Sequence, residues 1–197
     1  MNTKAITKAK SRLRVAEKAL VELTSCSDYQ VFNDTWYTFL VAVKSVYTVL
    51  EQGAKISAQS QQWFGGVKRR RKNDQLLQYL FEARNDDEHG LENSTEHVPG
   101  SLAIGVQKPG FSNYMRFDGT TGPGGKMNVT SLDGKPVLVA QTMPHAKLIS
   151  VSARGDRTYD PPTSHKGQPV LDGSPINVAG LGLAYLIELV VEAESLA

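Results

Sequence analysis

The chain has 197 residues, 40% of them hydrophobic and 21% charged, a balance that supplies a core and excludes wholesale disorder. Its 22 basic and 20 acidic side chains leave a formal net charge of +2, which excludes a histone-like, purely electrostatic nucleic-acid binder. All nine prolines lie after residue 97, as do all but four of the 17 glycines. The first half can therefore be helical throughout, whereas the second is punctuated by turns.

The first helix is written in Ile6, Ala9, Leu13, Ala16, Leu20 and Leu23, which recur every three or four residues and form one apolar stripe. Thr24 to Asp28 interrupts it, and Ser27 or Asp28 can cap the next helix. There Phe32, Trp36, Phe39, Val43, Val46 and Leu50 repeat the spacing, with Gly53 as a C-terminal punctuation mark that the helix can also run past. Residues 57–66 read as a loop carrying Trp63 and Phe64, followed by the basic run Lys68, Arg69, Arg70, Arg71 and Lys72. Asp74 caps a third helix with Leu76, Leu77, Leu80, Phe81 and Ala83 on its apolar side, and Gly90 ends it.

From 98 to 173 the texture is β-like. Runs at 102–106, 113–117, 126–130, 136–141 and 147–152 alternate with turn dipeptides at 118–119, 133–134 and 172–173. Two similar segments, Leu132 to Val137 and Leu171 to Ile176, reuse the same turn chemistry. Ser174 followed by Pro175 then reads as the cap and first position of a last helix, 176–196, with a broad apolar face. Left alone it would expose Leu183, Leu186, Ile187 and Val190, so it must pack back on the earlier helices. The expected fold is α+β: a four-helix bundle from 1–97 plus 174–197, with an antiparallel β insertion, 98–173, between helices three and four.

Cys26 is the single cysteine, so no intrachain disulfide forms, and a reducing compartment is favoured. Met1 to Arg14 is polar and basic, without a signal-peptide core. The longest apolar-rich run, Leu181 to Val191, falls short of the roughly 20 residues a membrane span needs. The expectation is a cytoplasmic protein without a membrane partner.

One constellation suits chemistry. Arg84, Asn85 and His89 close the third helix, and together they suit phosphodiester cleavage without a metal. Histidine exchanges a proton near neutral pH. The arginine fork matches a phosphate whose charge grows in the transition state, and the asparagine amide can donate to the same oxygens. On an ideal helix Arg84 and His89 lie about 140° apart around the axis. They converge only if His89 leaves the helix or if two subunits meet across a symmetry axis. The plain structural alternative pairs Arg84 with Glu88 one turn on, inside a solvated acidic face of Glu82, Asp86, Asp87, Glu88, Glu92 and Glu96.

The segment Leu76 to Gly90 resembles the signature helix of the HEPN superfamily, in which an arginine, a polar residue and a histidine follow in this order. Arg84, Asn85 and His89 match that pattern. The resemblance extends loosely over 8–97 and 174–197 and is specific over about fifteen residues. It implies an all-helical, dimeric core and metal-independent RNA cleavage. In that role His89 handles the proton of the attacking 2′-hydroxyl, Arg84 holds the phosphate and Asn85 orients it. Leu91 stands where HEPN toxins paired with nucleotidyltransferase antitoxins often carry a tyrosine, so modification there is not implied.

Lys68, Arg69, Arg70, Arg71 and Lys72 suit RNA phosphates, with Trp63 as a stacking surface. The structural alternative is a solvated loop whose aromatics plug the bundle end. The segment 119–126 imitates a phosphate-binding loop but has Thr120 for its first glycine and Met127 for its Ser/Thr, and it reads as a hairpin loop. Arg154-Gly155-Asp156 reads as a turn. His97, His145 and His165 lack ligand spacing, so no metal and no cofactor are expected. Two functions follow as expectations: a homodimeric RNA-cleaving protein, or a non-catalytic module in which the helices dimerise and the β insertion binds a protein or ligand.

Overall fold

The computed structural model describes residues 1–89, 93–105, 109–120, 127–153 and 157–197. Five helices are present among them: α1 (Thr3–Ser25), α2 (Tyr29–Ala54), α3 (Ala58–Asn73), α4 (Gln75–His89) and α5 (Pro175–Glu194). The fold is α+β.

Local chemistry sets the helix starts. The Asp28 carboxylate accepts from the Val31 amide at 3.0 Å, and the Asp74 carboxylate from the Leu77 amide at 3.0 Å. The Ser174 hydroxyl oxygen accepts from the Asn177 amide at 3.3 Å, ahead of Pro175 in the first turn. Gly53 does not end α2. It lies inside the helix, where an added Cβ would stand 2.4 Å from Ala5 Cβ, so its small size lets α1 approach.

The segment expected to be a loop, 57–66, is instead the start of α3. Ser57 caps it, and Ser60, Phe64 and Val67 form a buried stripe at helical spacing. Arg70, Arg71 and Lys72 fall in its last turn, where cations offset the helix dipole. The chain therefore has one helix more than the four expected, and the strands lie between the fourth and fifth. α5 packs against α1, α2 and α4. By length and composition it is apolar enough to cross a membrane, yet Val178, Leu183, Leu186, Leu189 and Val190 are buried in the core.

The chain divides into two units. One comprises residues 1–97 and 146–197, the other residues 98–145. The separate unit is shorter than the expected 98–173 insertion, because 146–173 is anchored to α4. That part includes β7 (Val151–Ala153), β8 (Arg157–Tyr159), β9 (Ser164–His165) and β10 (Gln168–Pro169). The Ser152 amide donates to Asp86 at 2.8 Å. The β9–β10 turn, with Lys166 and Gly167 at positive φ, caps the start of α4: the Lys166 amide and the His165 ring reach Asp74 at 2.7 and 3.0 Å. β1 (Thr95–Val98) pairs with β6 (His145–Leu148) where the chain leaves and rejoins the helical unit. The expected run 147–152 is thus split between β6 and β7.

In the second unit the pairs are nested. β2 (Ser101–Gly105) runs antiparallel to β5 (Leu138–Thr142), and β3 (Met115–Gly119) to β4 (Met127–Ser131). Gly134, at φ 72°, supplies the turn expected at 133–134. Among the described residues, no hydrophobic side chain of this unit is fully buried, and Leu102, Tyr114, Phe117, Met127, Leu132, Val139 and Met143 are exposed. The 121–126 and 154–156 segments lie outside the described residues.

Candidate functional site: a basic cleft along helix α4

α4 presents two sides. Leu76, Leu77, Leu80 and Ala83 enter the core. Gln78, Phe81, Glu82, Asn85 and Asp86 line a cleft of about 960 Å³, closed by Lys44 of α2, Arg71 and Lys72 of α3, Ser152 and Ala153 of β7, and Arg157 and Tyr159 of β8. That volume is at the upper end of ligand pockets, about 300–1,000 Å³. Four cations face two carboxylates there. Arg71 stacks on the Phe81 ring at 3.7 Å. Lys44 donates to Asn85 Oδ1 at 2.6 Å, and Asn85 Nδ2 donates to Glu82 at 3.0 Å. Burial, then the charges of Arg84 and Arg71, hold the Lys44 ammonium below its ordinary pKa.

Arg84 and Asn85 are not brought to one point. Asn85 lines the cleft, but Arg84, one residue earlier on the helix, lines a separate pocket between α1, α2 and α4. Its guanidinium pairs with Glu88, one turn on, and its Nε is buried without a partner among the described residues. α4 continues through His89, so that residue does not leave the helix to meet Arg84. By backbone position it follows Asn85 by four residues, on the same side of α4. The His89 side chain, Gly90, Leu91 and Glu92 lie outside the described residues.

The basic run is dispersed because a helix turns about 100° per residue. Lys68 pairs with Glu51 and lies over Phe64. Arg70 makes a two-pronged contact with Glu192 at 2.8 and 2.6 Å, and Trp63 Nε1 donates to the same carboxylate at 3.0 Å. Together these contacts hold the Glu192 carboxyl below its usual range, with the Arg70 hydrogen bond the largest cause. Arg69, Arg70 and Trp63 border another shallow cleft, so only Arg71 and Lys72 reach the cleft beside Asn85. Trp63 is half-buried and ties α3 to α5.

The described members of the acidic cluster are structural acceptors rather than a free face. Glu82 accepts from Asn85, Asp86 from Ser152, Asp87 from Ser94, and Glu88 pairs with Arg84. Glu96 pairs with Lys147 at 3.0 Å. Burial raises the Asp87 carboxyl pKa, partly offset by two hydrogen bonds from Ser94. Ser94 also accepts from Trp36 Nε1 at 2.9 Å.

Lys44, Ser152, Ala153, Arg157 and Tyr159 are the cleft residues that no motif marks. Lys44 alone left a trace, as the single cation in the apolar segment 39–46. Among the described residues no group of three or more His, Cys, Asp and Glu is placed to hold a metal. No family model matches the chain, and no curated protein or solved structure matches it.

Proposed function

We propose that the helical unit is an HEPN-like bundle, with α3 as an additional helix, that binds single-stranded RNA in the cleft along α4 and cleaves it without a metal as a homodimer. The observation that carries this reading is the cleft itself. Lys44, Arg71, Lys72 and Arg157 line it together with Asn85 of the motif and the rings of Phe81 and Tyr159. Cations along a groove hold phosphates, and aromatic faces accept bases of any sequence. The resemblance at Arg84, Asn85 and His89 supplies the chemistry. The 2′-hydroxyl loses its proton to His89 and attacks phosphorus, the bond to the 5′ oxygen breaks, and that oxygen takes up a proton. The products are a 2′,3′-cyclic phosphate and a 5′-hydroxyl. Because Arg84 and His89 lie on different sides of one α4, the dimer brings the arginine of one copy to the histidine of the other.

Incubating the folded dimer with RNA in EDTA should yield cyclic-phosphate ends, and His89→Ala should abolish them. Intact RNA after incubation with wild-type dimer would overturn the reading.

The β unit favours a second reading. It exposes seven large apolar side chains and has no core of its own among the described residues, the composition of a surface that binds another protein. In that reading the helices dimerise and the β unit captures a partner. Deleting 98–145 would remove capture, while His89→Ala would leave it intact. Equal capture by the two variants contradicts it.

A further inference from the structure

Lys44 borders two hollows. Beyond it, between α1, α2 and α4, lies a pocket of about 250 Å³. Four cations line it: Lys8 and Arg12 from α1, Lys44 from α2 and Arg84 from α4. Among the described residues, no carboxylate lines it. Glu88, which pairs with Arg84, is not one of the lining residues, and Lys8 and Arg12 have no acidic partner among the described residues. Ser45 and Gln52 add neutral hydrogen-bonding groups.

Three of these cations, Arg12, Lys44 and Arg84, are half-buried. Surface cations normally extend into water or meet a carboxylate, and partial burial beside other cations is unfavourable unless an anion joins them. The lowered Lys44 pKa, caused first by burial and then by Arg84, reports the same crowding. Among the described residues no aromatic ring lines the pocket as a platform for a base, and its size suits a small molecule rather than a strand.

We propose that this pocket binds a small phosphoryl compound carrying at least two negative charges, of the class of pyrophosphate or a phosphate monoester, held by Arg12, Lys8, Lys44 and Arg84. Arginine offers paired donors to two oxygens of one phosphoryl group, and the lysines supply point charges on either side. The site shares Lys44 with the α4 cleft and Arg84 with the proposed cleavage motif, whereas Lys8 and Arg12 belong to it alone, so they carry the test.

Calorimetric titration of the full chain with pyrophosphate tests the proposal. Wild-type protein should bind it, and Arg12→Ala should weaken binding at least tenfold. Lys8→Ala, at an exposed position that leaves the core untouched, should also weaken it. Arg14→Ala, on α1 but outside the pocket, should not. Absence of binding by folded wild-type protein overturns the proposal, as does unchanged affinity in Arg12→Ala and Lys8→Ala. It is also overturned if pyrophosphate fails to bind while Arg12→Ala weakens RNA binding, because the pocket then belongs to the RNA path.

Discussion

Gly53 and Gly65 are both helical glycines, with opposite consequences. At Gly53 an added methyl meets Ala5 Cβ at 2.4 Å, whereas at Gly65 nothing lies within 4 Å. Gly53→Ala should therefore destabilise the protein by about 1–3 kcal/mol through overpacking. Gly65→Ala should stabilise it by up to about 1 kcal/mol through helix propensity. Denaturant unfolding of the two variants checks both signs. The contrast also marks what a sequence can reveal. The caps at Asp28, Asp74 and Ser174 are legible because each acts on an amide three residues away. The role of Gly53 is not, because its neighbour is distant in the chain.

Among the elements, α4 is held at its start by Asp74, whose pKa is lowered. Burial opposes this, but hydrogen bonds from the Lys166 amide, the His165 ring and the Leu77 amide outweigh it. A depressed carboxylate pKa stabilises the fold above the unfolded-state value, and that stability is lost as pH falls through the folded-state value. Asp74→Asn keeps the cap acceptor but removes the negative charge at the helix start and beside the His165 ring and Lys166 amide, so it should be less stable than wild type at neutral pH by about 1 kcal/mol. The gap should close as pH falls below the ordinary carboxylate range. Stability measured against pH checks it; a gap that persists in strong acid would contradict the assignment. α3 was the element least legible in sequence. Gly65, Gly66 and a mostly polar segment read as a loop, but burial of Phe64 and Val67 and the Glu192 contacts to Trp63 and Arg70 outweigh weak propensity. That same helical turn scatters the basic run over three places. Lys72→Ala should accordingly weaken RNA binding without regard to sequence and reduce the salt slope by about 0.7. Arg69→Ala, outside the α4 cleft, should change neither. Binding isotherms at several salt concentrations separate them.

For the molecule as a whole, the division into a helical part and a β-rich part is legible from where the prolines and glycines fall. Its boundary is not. Residues 146–173 carry the same turn-rich texture as 98–145, yet they join the helical unit through distant contacts to Asp74 and Asp86. Nested ladders with no buried apolar side chain among the described residues contribute little stability of their own. Replacing 98–145 with a short glycine linker between the paired strands β1 and β6 should therefore leave cooperative unfolding of the helices intact, with a midpoint within a few degrees of wild type. Calorimetry checks this. The candidate site was only partly legible: Asn85, Arg71 and Lys72 come together in the cleft, whereas Lys44 and Arg157 reach it only through the fold.

RNA cleavage at the α4 cleft and its motif is what we propose. The most direct measurement is the end chemistry of RNA incubated in EDTA with the wild-type protein and with His89→Ala. Wild type should give 2′,3′-cyclic phosphate ends, and His89→Ala should leave the RNA intact. Intact RNA with both, or equal cleavage by both, would contradict it.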